Sequence, residues 1–122
     1  MKSLKCLAIV CLVVAIASCG NKTTTETATT QAVDGITTST FKVWGNCDMC
    51  KETIEGSLKV DGVTKAEWDT ESKIMTISYD AKKITLDQIQ KNIADVGYDD
   101  EKYKGNDIAY KSLPECCQYD RK

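Results

Sequence analysis

Past an apolar run near the N-terminus, side chains large enough to build a core are concentrated in one stretch, Thr40 to Lys104. That concentration limits the chain to a single small domain of about 65 residues, near the lower limit at which a core stands alone. The twenty residues ahead of it are rich in threonine, with Thr23-Thr24-Thr25, Thr29-Thr30 and Thr37-Thr38, and hold few large apolar groups. Such a stretch buries too little surface to offset the entropy of ordering, so residues 19–39 are expected to form a flexible tether. Its r.m.s. reach would be roughly 25 Å.

Within the core stretch the pattern alternates between two periods. Thr40 to Trp44 reads as a short strand with Phe41 and Val43 on one face, broken by Gly45-Asn46. Cys50, Ile54 and Leu58 recur at helical spacing and predict a helix from Cys50 to about Lys59. After the Asp61-Gly62 turn, Val63 to Asp69 and Ile74 to Tyr79 read as two strands of a hairpin; Trp68 and Tyr79, like Trp44, are expected as core or strand-face aromatics. Thr85-Leu86-Asp87-Gln88 fits a capping box opening a second helix through Leu86, Ile89, Ile93 and Val96, with Gly97 as its C-cap. Tyr98 to about Lys104 is expected as a final edge strand, with Asp99-Asp100-Glu101 as a plain acidic turn within it. The order is β-α-β-β-α-β, an α+β, ferredoxin-like sandwich with an antiparallel sheet and two helices on one face. Residues 105–122 form a tail: a short helix from Asp107 to Leu113, then Pro114 and the pair Cys116-Cys117.

Two lysines, Lys2 and Lys5, precede the apolar run from Cys6 to Ala17, which is short for a permanent membrane span and suits an export signal. It ends in Ile16-Ala17-Ser18-Cys19, which resembles the lipobox of bacterial lipoproteins. That resemblance implies a signal over residues 1–18, lipidation of Cys19 and a chain held at the membrane. The same resemblance implies that Gly20 after Cys19, in place of an acidic residue, favours the outer membrane in a Gram-negative cell envelope, facing the periplasm. Without the signal, 14 basic and 18 acidic residues remain, a net charge near −4. An acidic chain with no basic run has no electrostatic basis for nucleic-acid binding. It has no histidine either, which excludes His-based metal sites and His-activated nucleophiles within the chain.

Once Cys6, Cys11 and Cys19 are set aside, Cys47, Cys50, Cys116 and Cys117 remain. Cys47-Asp48-Met49-Cys50 places C-x-x-C where the first strand turns into the first helix. Two thiols at that spacing converge on one atom, and a helix N-terminus favours thiolate over thiol. Soft sulfur donors without histidine suit Cu(I) or another soft ion better than magnesium, calcium or manganese. The same pair also suits thiol–disulfide chemistry or a structural staple in an oxidising compartment. Against a thioredoxin-like plan stand the order of elements and the presence of one proline only, Pro114 in the tail. Cys116 and Cys117 are candidates for further metal ligands, for a disulfide with the first pair, or for a separate contact. Four thiolates would turn the choice toward zinc or a copper cluster. Met49 is a candidate weak thioether ligand or a cap over the loop.

With Cys47-x-x-Cys50, Ile54-Glu55 and Leu58, Gly62-Val63, Ile77-Ser78-Tyr79-Asp80, Ile89, Ile93 and Gly97-Tyr98-Asp99 in place, the chain resembles the heavy-metal-associated domain family from about Phe41 to Asp99. That family includes copper chaperones, metal-binding domains of P-type ATPases and mercury carriers. The resemblance implies that Cys47 and Cys50 are the ligands of Cu(I), with mercury(II) or zinc as alternatives, and that Tyr98 lies beside them. It implies a non-enzymatic carrier or buffer whose partner is a metal efflux pump, a P-type ATPase or another carrier. One departure stands out. The family's usual Gly-Met-x-Cys is Trp44-Gly45-Asn46-Cys47 here, so ion selectivity does not carry over.

Overall fold

The computed structural model describes residues 30–33 and 35–122; the expected export signal, Cys19 and most of the expected tether lie outside the described residues. Alternation of Met75, Ile77 and Tyr79 with Thr76 and Ser78 buries every second side chain of β4 (Ile74–Asp80). β4 is paired along both of its edges. On one side it pairs antiparallel with β3 (Val63–Trp68), on the other with β2 (Ile36–Lys42). The register sets Phe41 and Trp68 on either side of Met75, so the buried face is continuous across three strands. The opposite face is polar; there Thr38 Oγ1 and Ser78 Oγ lie 3.0 Å apart.

Two helices cover the buried face. α1 (Asp48–Gly56) contributes Cys50 and Ile54, and α2 (Leu86–Asp95) contributes Ile89 and Ile93, all to one core with Phe41, Val43, Trp68 and Met75. α2 opens on the expected capping box, with Thr85 Oγ1 accepting from the Gln88 N–H and Gln88 Oε1 accepting from the Thr85 N–H. Gly97 follows it with φ of 99°. α1 begins two residues before the expected Cys50 and stops at Gly56, where Ser57 caps it instead of the helix running on to Lys59.

Two expectations are corrected. The stretch expected as a tether up to Ser39 is structured in its last part: β1 (Thr30–Val33) folds back on Ile36–Ser39 as a hairpin. Asp34-Gly35 is a strong short-range hairpin signal, Gly35 takes φ of 81°, and β-branched threonines suit a pleated, half-buried strand. Conversely, Tyr98 to Lys104 forms no edge strand. Among the described residues its only sheet-like contact is a bridge between Val43 and Asp100. Asp100 Oδ1 accepts from the N–H groups of Lys102 and Tyr103 at 2.7 and 2.8 Å, and Asp99 Oδ1 from that of Gly105 at 2.7 Å. Side-chain acceptors thus supply the bonds that a ladder would have made. The sheet order is β1-β2-β4-β3, and the outer edge of β2 is shared between β1 at its start and Asp100 near its end.

Candidate metal centre

The site forms where the chain leaves β2. The Trp44 N–H donates to the Asp99 carbonyl at 2.9 Å, pinning the exit of the strand. Beneath the loop lies Trp68, whose indole Nε1–H donates to the Val43 carbonyl at 3.1 Å. At Gly45 a Cβ would fall 2.8 Å from the Trp68 ring and 3.4 Å from the Cys50 Cβ. The Trp44-Gly45-Asn46 run that departs from the family pattern is therefore matched to this indole: only glycine lets the backbone pass so close. On the backbone of the same residue, Lys51 Nζ donates to the Trp68 carbonyl at 2.6 Å and Glu55 Oε1 accepts from the Trp68 N–H at 2.9 Å. These bonds tie α1 to β3.

Cys47 is the N-cap residue of α1, in an extended conformation, and Cys50 lies in the first turn. Their sulfurs are 3.6 Å apart. The Cys50 N–H, ahead of smaller contributions from the Cys50 thiol and the Met49 N–H, holds the Cys47 thiol below its ordinary pKa against an opposing effect of burial. Cys50 is fully buried, and the Asn46 N–H donates to its sulfur at 3.4 Å. Both sequence-expected ligands therefore meet at the helix mouth.

The tail returns to the same place. α3 (Asp107–Ser112) is capped by the Asn106 side chain, which accepts from the Ile108 and Ala109 N–H groups. Pro114 then leads into a single 3-10 turn, Glu115–Cys117. A tight turn at Gln118 follows, its Tyr119 N–H donating to the Cys117 carbonyl at 3.0 Å, and it leaves Cys117, Tyr119 and Arg121 turned inward and Cys116, Gln118 and Asp120 outward. Tyr119 stacks on Tyr98 with ring centres 5.5 Å apart and meets Tyr110 edge-on at 5.2 Å. Its hydroxyl donates to the Gly97 carbonyl at 2.8 Å and accepts from the Asp99 N–H at 2.7 Å. Arg121 pairs with the fully buried Asp99 at 2.8 Å and with Asp107 at 2.6 Å, and also donates to the Gly105 carbonyl.

This anchoring sets the Cys117 sulfur 3.9 Å from that of Cys47, and the sulfurs of Cys47, Cys50 and Cys117 all lie within 4.8 Å of one another. Burial, and then the neighbouring Cys50 and Cys47 thiols, push the Cys117 thiol up to about 12. Cys116 is turned to the outside, its sulfur 3.9 Å from that of Cys117 and 3.7 Å from the Met49 thioether, which is half exposed. Met49 therefore faces Cys116 at the rim. Tyr98 is fully buried beside Cys50 and Cys117; burial foremost, and then those thiols, raise its pKa, yet its hydroxyl completes no hydrogen bond. All four cysteines are free thiols. Of the residues that hold the tail in place, Asp99, expected in a plain acidic turn, is instead fully buried as the partner of Arg121, and Tyr119 and Arg121 are given no role by the sequence. Their signal was the period-two run Cys117-x-Tyr119-x-Arg121.

A family model described as "Heavy-metal-associated domain" matches residues 40–99. A copper chaperone CopZ of Staphylococcus haemolyticus (strain JCSC1435) is 36% identical over 55 residues, covering 44% of this chain and 81% of that protein. A copper chaperone CopZ of Staphylococcus saprophyticus subsp. saprophyticus is 38% identical over 64 residues, covering 51% and 94%. Among solved structures, a CopZ metallochaperone superposes with a TM-score of 0.50 at 34% identity, covering 52% of this chain and 97% of that one. With a cysteine pair at a strand-to-helix turn over a split β-α-β sheet, the chain belongs to the heavy-metal-associated domain family.

Proposed function

We propose that this protein binds a soft metal ion, Cu(I) foremost, through Cys47 and Cys50 and hands it on or buffers it without catalysing a reaction. The observation that carries the reading is the meeting of the two sulfurs at 3.6 Å at the start of α1, with Cys47 held toward its thiolate form. Thiolate is the form that binds, so loading releases protons and weakens as pH falls. Mercury(II) and zinc suit the same donors. The copper chaperones among its relatives support copper as the cargo. Transfer follows from ligand exchange: a partner's thiolate attacks the ion while Cys47 or Cys50 leaves. Partners of that chemistry are a metal efflux pump, a P-type ATPase or another carrier. The export signal and Cys19 support a lipid-anchored placement in the cell envelope, on the outer membrane facing the periplasm.

The test is uptake of Cu(I) in reducing buffer, measured by competition with a chromophoric chelator. The unaltered chain is expected to hold one ion that the Cys47→Ser, Cys50→Ser double variant loses. Equal uptake by the two proteins, together with a reversible Cys47–Cys50 disulfide in a thiol count, would replace this reading with a thiol–disulfide exchange function.

A further inference from the structure

We infer that Cys117 is a third thiolate ligand, closing a three-sulfur site built entirely from this chain. The inference rests on the metal-binding reading above and sharpens it. A linear ion with metal–sulfur bonds of about 2.3 Å would hold its two sulfurs about 4.6 Å apart, whereas a trigonal ion would hold three about 4.0 Å apart. The observed separations are 3.6 Å between Cys47 and Cys50 and 3.9 Å between Cys47 and Cys117. Even at the longest third edge, 4.8 Å, the point equidistant from the three sulfurs lies about 2.4 Å from each, within reach of a metal–sulfur bond. The triangle already has the size of a trigonal site.

The fold itself brings the third sulfur to the first two. The Cys117 N–H donates to the Pro114 carbonyl at 2.8 Å, and two residues on Tyr119 is locked into the core and bonded to Gly97 and Asp99. A buried polar side chain needs partners; the Cys117 sulfur meets other cysteine sulfurs at this site. Its neighbour Cys116 is outside the triangle, paired with Met49 at the rim. On loading, the S–H bonds of Cys47, Cys50 and Cys117 break, three protons pass to solvent, and three metal–sulfur bonds form with no change in oxidation state. The negative charge left on the site faces the Asn46 N–H and the N–H groups of the first turn of α1. Cys117 also fills the position at which a partner's thiolate would attack, so release requires this sulfur to be displaced first. Such a site favours retention over rapid hand-on.

X-ray absorption of the full chain loaded with Cu(I) counts the sulfurs directly. Three are expected in the unaltered protein and in Cys116→Ser, and two in Cys117→Ser. Cys117→Ser should also lose at least what metal sites lose on removal of a supporting partner, about 10–100-fold in affinity, and release the ion faster to a dithiol chelator. Two sulfurs in the unaltered chain, with Cys117→Ser equal to it in affinity, would overturn the third ligand and leave the Cys47–Cys50 pair standing. Failure of the unaltered chain to exceed the Cys47→Ser, Cys50→Ser variant would overturn both. The count on the unaltered chain decides the question even where Cys117→Ser does not fold.

Discussion

The Tyr98 hydroxyl is buried against the thiols of the site yet completes no hydrogen bond. An unmade bond of this kind costs about 1–3 kcal/mol. Thiols are weak acceptors, whereas a thiolate beside a metal accepts a charge-assisted bond. The hydroxyl is therefore idle in the empty molecule and useful in the loaded one, which gives Tyr98→Phe two effects of opposite sign. The metal-free variant should melt higher than the unaltered protein, by an amount corresponding to about 1 kcal/mol, while its Cu(I) affinity falls. Calorimetry of the apo form and chelator competition measure the two; a lower melting temperature for the apo variant would mean the hydroxyl is already satisfied. Gly45 works through shape alone: any side chain there meets the Trp68 indole.

Among the elements, the tail segment after the 3-10 turn depends on Asp99. Burial pushes the Asp99 carboxyl up, but Arg121 and the N–H groups of Gly105 and Lys122 outweigh it and hold the group below the usual carboxylate range. Its contribution to stability is therefore full above the unfolded carboxylate pKa, about 3.9, and is lost as pH falls through the depressed folded value. In the adjoining Asp100, burial prevails and raises the pKa, so its protonation favours the folded state as pH falls and partly opposes that loss. Arg121→Ala leaves the Asp99 charge buried and unpaired, and should cost about 3 kcal/mol in urea unfolding at neutral pH. The difference from the unaltered protein should shrink once pH falls below the folded pKa of Asp99. A difference that stays constant with pH would assign the effect to packing instead. The helices and β4 are legible in the sequence because their signals are local: Thr85 and Gln88 announce α2, and Met75, Ile77 and Tyr79 alternate without interruption. The cysteine pair is legible for the same reason. β1 was hidden because threonine serves disordered segments and strands alike, and what decides is pairing with Ile36–Ser39. The segment after Gly97 was misread as a strand because its two aspartates bond nearby N–H groups, a choice that apolar periodicity does not register. Arg121 becomes visible only once its partner, 22 residues away, is known.

On the scale of the whole molecule, the turn after β2, the first turn of α1 and the tail after α3 meet at one end of the sheet, and each carries sulfur to that end. Beyond Pro114 the tail reaches the core through Tyr119 with Arg121 and through Cys117. The first is held by an ion pair and conventional hydrogen bonds, the second by weak thiol contacts alone, Cys47 Sγ lying 3.6 Å from the Cys116 carbonyl and 3.9 Å from Cys117 Sγ. An ion bound to all three sulfurs would add a second tie, making the stretch between Pro114 and Tyr119 open only with the rest of the fold. Amide hydrogen exchange across residues 113–119 should therefore slow on Cu(I) loading in the unaltered protein and change little in Cys117→Ser. Exchange that is equally slow with and without the ion would show the tail already closed by Tyr119 and Arg121. That stretch exposes Glu115, Cys116 and Gln118 on the outer surface. A receptor touching those three residues would meet a loose ribbon on an empty carrier and a taut one on a full carrier, and so distinguish cargo from vacancy without entering the site.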